Sequence, residues 1–166
     1  MLEPIPPLRP FQAEALSALA QHPHVLAIAP PGSGKSRIFQ EFLVKNRRAV
    51  AWVVTPLVAL GRQHQRDLIS LSLEGRSEIL SPEAMTRPDF RPRIQNPDLL
   101  VIDECHCLWE WGDRFRPAFS HLPAIAQRMR SLWLSATLPA HAKDELAGAL
   151  PSLHQVGRYT PQPTLD

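Results

Sequence analysis

Two clusters of residues in this chain could do chemistry. The first is Gly32-Ser33-Gly34-Lys35-Ser36, preceded by Pro30-Pro31 and the apolar run Val25-Leu26-Ala27-Ile28-Ala29. A triphosphate presents closely spaced anionic oxygens, which backbone N–H groups must approach from several sides. Gly32 and Gly34 carry no Cβ, so the chain can turn sharply and come close. Successive loop N–H groups form an anion nest, and a helix starting there adds partial positive charge. Lys35 would reach the β- and γ-phosphates, and the Ser36 hydroxyl would ligand Mg²⁺. Pro31, Ser33 and Arg37 complete the expected cradle. One position departs from the usual phosphate loop: Ala29 stands five before Gly34, where Gly is more common.

The second cluster is Asp103-Glu104, 68 residues after Lys35, directly behind the apolar run Leu99-Leu100-Val101-Ile102. Carboxylates there sit at the C-terminal end of a buried strand, the edge where open α/β sheets bind ligands. Asp103 would hold the metal, usually through water, and Glu104 would polarise an attacking water. Ser135-Ala136-Thr137 follows Leu132-Trp133-Leu134 and brings hydroxyls to the same edge. Upstream, Arg9-Pro10-Phe11-Gln12 places a basic residue and an amide at a helix entrance. The Gln12 amide can donate and accept at once, which suits adenine recognition.

These residues need a scaffold of strands and helices, and the hydrophobic pattern supplies one. Phe11, Ala15, Leu16 and Leu19 recur at helical spacing over residues 9–21. Val25–Ala29, Ala49–Val54 and Leu99–Ile102 are continuous apolar runs of the buried parallel type. Leu132–Leu134 is a further strand and Ser77–Leu80 a shorter one. Helices are expected over 35–44, 58–70, 121–130 and 140–149. Arg62, Gln63, Gln65 and Arg66 fall on the polar side of the 58–70 helix. Residues 86–98 read as a loop, with three arginines among the prolines. Alternating buried strands and helices imply an α/β fold: a mostly parallel sheet with helices on both faces.

Composition bounds the function. The chain has 166 residues, enough for one domain with a real core, and 44% hydrophobic content. Its 18 basic and 16 acidic residues leave a net charge of +2, so charge alone gives no strong nucleic-acid footprint. Only three of the basic residues are lysines (Lys35, Lys45, Lys143). The two cysteines, Cys105 and Cys107, are too few for a disulfide framework or a four-ligand zinc site. No apolar run approaches the ~18 residues of a membrane span. The expectation is a cytoplasmic chain with no membrane association and no structural zinc.

Residues 108–116, LWEWGDRFR, hold Trp109, Trp111 and Phe115 among Arg114 and Arg116, with no helical or strand period. They read as a loop whose aromatics suit stacking on single-stranded bases.

Taken together, the chain resembles the first RecA-like lobe of a superfamily 2 helicase, and most resembles the RecQ DNA helicases. Arg9-Pro10-Phe11-Gln12 resembles the family's adenine-reading motif, and Ala29–Ser36 its form of the phosphate loop, which often opens with Ala. Thr55-Pro56-Leu57, with Leu60 and Gln63, resembles the motif that contacts the nucleic-acid backbone, and Leu80-Ser81-Pro82-Glu83 the next such motif. Asp103-Glu104-Cys105-His106 is similar to a DEAH box with Cys in third place. Ser135-Ala136-Thr137 resembles the motif linking ATP state to lobe movement. Cys107–Phe119 is similar to the RecQ aromatic-rich loop, with Trp111, Phe115, Arg116 and Pro117 matching. Asp113 and Arg114 stand where that pattern has His and Asp.

The resemblance implies ATP and Mg²⁺ as cofactors and single-stranded or forked DNA as partner. It also implies a second RecA-like lobe that supplies arginines across the nucleotide. Residues 1–150 would then be the ATP-binding lobe, and the Pro-rich 151–166 the start of an interlobe linker. Two other readings stand beside this one: a non-catalytic nucleic-acid-binding or regulatory module, and an RNA helicase lobe.

Overall fold

The computed structural model describes residues 6–56, 58–110 and 116–158, with 110 and 116–120 described through their backbone alone. The elements run α1 (Pro10–Gln21), β1 (His24–Ile28), α2 (Ser36–Lys45), β2 (Ala51–Val54), α3 (Val58–Ser70) and β3 (Ser77–Leu80). Then follow α4 (Pro82–Met85), β4 (Leu99–Ile102), α5 (Cys107–Glu110), α6 (Arg116–Ala126), β5 (Ser131–Ser135), α7 (Ala140–Ala149) and β6 (Leu153–Val156).

The six strands form one sheet in the order β3-β2-β4-β5-β1-β6, with every pairing parallel. Parallel neighbours require crossovers, and these place helices on both faces. Each strand feeds both faces by alternation. Val25, Ala27, Val53, Val101 and Leu132 pack with Leu19 of α1, Phe39 and Leu43 of α2, and Leu68 of α3. Leu26, Ile28, Val54, Ile102 and Trp133 pack on the other side with Leu122 of α6 and Leu146 of α7. Strands buried on both faces must be apolar throughout, which is why the central ones are continuous apolar runs.

Two expectations need correction. The supposed linker begins with a strand: β6 pairs with β1, from His24↔Leu153 to Ala27↔Val156, and buries Val156. Its two central residues, His154 and Gln155, are polar, so no apolar run marks it. An edge strand is held mainly by main-chain bonds to one neighbour, and such polarity costs it little. Gly157 then turns at φ +81°, so close to the Ile28 carbonyl and Phe11 that a Cβ would collide. The folded unit therefore runs past residue 150. The second correction concerns helices. Residues 107–110 form a helical turn, and the next helix begins at Arg116 rather than 121. Pro117 fits a first turn because its missing N–H would have no partner there.

Candidate active site

β1 delivers the chain to the phosphate loop, and α2 leads it away. The loop is anchored to β5 by the Ala29 N–H, which donates to the Ser135 carbonyl at 3.2 Å. Gly32 and Gly34 both sit at φ +78°, the left-handed region that glycine enters without strain. The turn closes where the Ser33 N–H donates to the Pro30 carbonyl at 3.2 Å.

Arg9 and Gln12 grip this loop. Gln12 Nε2 donates to the Gly34 carbonyl at 2.8 Å, and Gln12 Oε1 accepts from the Arg9 N–H at 2.8 Å. Arg9 Nη1 donates to the Gly32 carbonyl at 3.2 Å. Gln12 is buried, so its immediate contacts are with the loop. Its amide keeps one N–H and one oxygen lone pair beyond these bonds. Arg37 points elsewhere, to Glu41 at 3.5 Å and the Pro7 carbonyl at 3.4 Å.

Lys35 folds over the loop, donating to the carbonyls of Ala29 (2.9 Å) and Pro30 (3.3 Å). Burial lowers its ammonium below the ordinary lysine value, while Glu104 and Asp103 pull the other way. The carboxylates from β4 therefore lie within electrostatic reach of the lysine from the loop. Burial, reinforced by Asp103, in turn raises the Glu104 carboxyl above its ordinary value. Glu104 itself stands at φ +50°, uncommon for a residue with a Cβ.

His106 joins this group to β5. Its Nδ1 lies 2.9 Å from Ser135 Oγ and 3.4 Å from Glu104 Oε2. Ser135 Oγ donates its one proton to the Thr137 carbonyl at 2.5 Å, so it accepts from His106. The ring proton then sits on Nδ1, facing both the hydroxyl and the Glu104 carboxylate. Cys105, between them, is fully buried, and burial holds its thiol far above the ordinary value.

Asp103 is oriented from two sides. Its Oδ1 accepts from the Glu104 N–H at 3.0 Å, and its Oδ2 lies 2.6 Å from His64 Nε2. His64 carries no motif that singles it out in the sequence. Helical spacing held the signal: His64 and Leu68 are the buried residues of α3, one turn apart. The Arg62, Gln63, Gln65 and Arg66 side chains do face outward, as their polarity implied.

At the end of β2, Thr55 is buried: it continues the strand, and its N–H donates to the Leu80 carbonyl at 3.0 Å. Pro56 beside it is partly exposed. Leu57, Trp111 and Phe115 lie outside the described residues, and Arg116 is described only as the backbone start of α6.

Ser36, at the start of α2, and Asp103 offer hard oxygen donors. Magnesium takes one or two such protein oxygens and fills its shell with water and phosphate. The donor set fits that ion.

A glycine loop between β1 and α2, facing two carboxylates at the end of β4, defines a P-loop nucleotide-binding lobe of RecA-like architecture. Comparison with solved structures agrees on the fold. A hypothetical ATP-dependent RNA helicase from Sulfolobus tokodaii superposes with a TM-score of 0.73 at 17% identity, over 91% of this chain and 53% of that one. The DEAD/DEAH box helicase family model matches residues 9–81 and 77–146. The chain belongs to that family. Among the curated relatives it matches are DNA helicases with RecQ-type names. ATP-dependent DNA helicase Q5 of Rattus norvegicus is 27% identical over 85% of this chain and 18% of its own length. ATP-dependent DNA helicase RecQ of Synechocystis is 29% identical over 69% of this chain and 30% of its own length. The chain thus spans less than a third of the length of these relatives.

Proposed function

We propose that this chain is the ATP-binding lobe of a RecQ-like, ATP-dependent DNA helicase. The observation that carries the reading is the glycine loop between β1 and α2, with Gly32 and Gly34 both at φ +78°, at the same sheet edge as Asp103 and Glu104 behind β4. The loop N–H groups and Lys35 would hold the phosphates, with Arg9 and Gln12 on the base side. Ser36 and Asp103 would hold Mg²⁺, which when bound neutralises charge developing on the phosphates. Glu104 takes the proton of the attacking water as its oxygen bonds to the γ-phosphorus and the bond to ADP breaks. A carboxyl raised by burial is better matched to accepting that proton near neutral pH. His106 and Ser135 connect that base to the Ser135–Thr137 segment, which supports a role in coupling hydrolysis to movement on DNA. The contacts to DNA would come from Pro56, Leu57, Trp111, Phe115 and Arg116, with Thr55 setting the position of the first two.

In helicases of this kind a second lobe supplies arginines, worth a factor of ~10³–10⁵ in related phosphoryl transfers. The 166 residues alone should therefore bind Mg-ATP and hydrolyse it very slowly. The test is Mg-ATP affinity before and after Lys35→Ala, which should fall at least tenfold. Unchanged affinity would overturn the reading. Parallel titrations with single-stranded DNA and RNA of one sequence should favour DNA; a preference for RNA would transfer the lobe to RNA helicases.

A further inference from the structure

The phosphate loop does not explain how Asp103 is held. His64 Nε2 lies 2.6 Å from Asp103 Oδ2, and the two residues are only 5% and 6% exposed. His64 belongs to α3, the helix that follows the Thr55-Pro56 turn. Its ring meets Phe39 edge-on, with centroids 5.7 Å apart and planes at 71°. Phe39 is a fully buried residue of α2, the helix that rises from the phosphate loop. One side chain therefore touches both halves of the site: the carboxylate through a hydrogen bond, and the helix of the loop through packing.

The contacts leave the carboxylate little freedom. Oδ1 is taken by the Glu104 N–H and Oδ2 by His64. A carboxylate has about four lone-pair sites, so capacity for a cation remains, but only in the orientation these two partners set. Two polar atoms nearby have no partner among the described residues: Thr55 Oγ1 and His64 Nδ1. Thr55 follows Val54, the register partner of Ile102, so it stands beside Asp103 in the sheet. An aliphatic side chain would fill the place of His64 without burying an unpaired nitrogen. What it could not supply is the bond to Asp103.

We propose that His64 is the positioning residue for the magnesium carboxylate. It fixes the rotamer in which Asp103 meets the magnesium nucleotide, and it ties that rotamer to α3. The proposal rests on the nucleotide-site reading above. Partners that orient a metal-binding group are typically worth ~10–100-fold in metal affinity.

Calorimetry on the full chain tests it, with a non-hydrolysable ATP analogue titrated once in magnesium and once in EDTA. The ratio of the two affinities is the magnesium gain. His64→Leu keeps the packing volume and removes the N–H; the gain should fall ~10–100-fold, with EDTA affinity within about twofold of wild type. His64→Gln, whose amide can donate in place of the ring, should restore most of the gain. Should His64→Leu fail to fold, His64→Gln against His64→Met carries the same comparison. A gain that Asp103→Asn abolishes but His64→Leu keeps overturns this proposal alone. Equal losses in magnesium and EDTA overturn it as well, by making His64 merely structural. No magnesium gain in the wild-type chain overturns the nucleotide-site reading and this proposal with it.

Discussion

Gln12 donates to the carbonyl of Gly34 at 2.8 Å, across 22 residues of sequence. The helix before β1 thereby fixes the curvature of the loop after it. Gly34 is the point of closest approach: a Cβ there would come within 2.5 Å of Gln12 Nε2. Gly32 shares the same φ of +78° but has open space around its Cβ position.

The two glycines should therefore respond differently. Gly32→Ala bears only the left-handed backbone cost, about 1–2 kcal/mol. Gly34→Ala bears that cost and also displaces Gln12, releasing the Arg9 N–H from its side-chain acceptor. It should lose at least 1 kcal/mol more, consistent with one broken hydrogen bond, and weaken Mg-ATP binding more than Gly32→Ala does. Urea unfolding and a fluorescent-nucleotide titration on both variants measure this. Equal losses for the two would show that the Gln12 contact does not set the loop.

A second prediction concerns the base of the sheet, far from the nucleotide. Arg76 Nη2 donates to the carbonyls of Leu43 and Asn46, each at 2.5 Å, and its Nε donates to that of Ala49 at 3.0 Å. These carbonyls lie at the end of α2 and in the turn to β2, where the helix leaves acceptors without intrahelical partners. A guanidinium fork serves several of them at once, and its charge suits the helix C-terminus. Arg76→Ala should cost about 2–3 kcal/mol by urea unfolding, in line with a charged hydrogen-bond donor. Arg76→Lys should recover less than half, because an ammonium cannot reproduce the fork. Full recovery by lysine would reduce the role to charge alone.

Much of this was legible because the central strands are buried on both faces. Val25–Ile28, Ala51–Val54 and Leu99–Ile102 had to be apolar throughout, and in a parallel sheet the residues behind their C-terminal ends share one edge. The candidate residues Lys35, Asp103, Glu104 and Ser135 fall at that edge. The failures have equally physical causes. β6 carries two polar residues in four, because an edge strand relies on main-chain bonds to β1. The pairing of His64 with Asp103 joins residues 39 apart. No spacing encodes it; it exists because β2 and β4 are sheet neighbours with α3 packed across them. Gln12 was singled out for its amide, yet its contact with Gly34 follows from how α1 packs on α2, which no local pattern states.

At the end of β1 opposite the phosphate loop, His24 and Ser131 share a proton-dependent contact. Trp133 Nε1 donates to Ser131 Oγ at 2.9 Å, so the Ser131 hydroxyl proton is free to go to His24 Nδ1, 2.7 Å away. His24 Nδ1 accepts that proton only while the imidazole is neutral. Protonation there would leave Ser131 facing two donors, with its own proton lacking an acceptor. Burial, and secondarily the Arg130 charge, lower the His24 value below that of a free histidine. A folded value below the unfolded one, near ~6.5, means that the unfolded chain binds more protons between them. Stability then rises with pH across that window. The His24 contribution is complete above the unfolded value and is lost as pH falls toward the folded one. Urea unfolding should therefore show a lower midpoint at pH 5.5 than at pH 7.5, conditions chosen to lie about a unit either side of the free histidine value. His24→Asn can still accept from Ser131 but cannot titrate, so it should lose less on acidification. At pH 7.5 it should lie within about 1 kcal/mol of wild type, the worth of one hydrogen bond. Parallel acid losses in the two proteins would remove His24 as the group responsible.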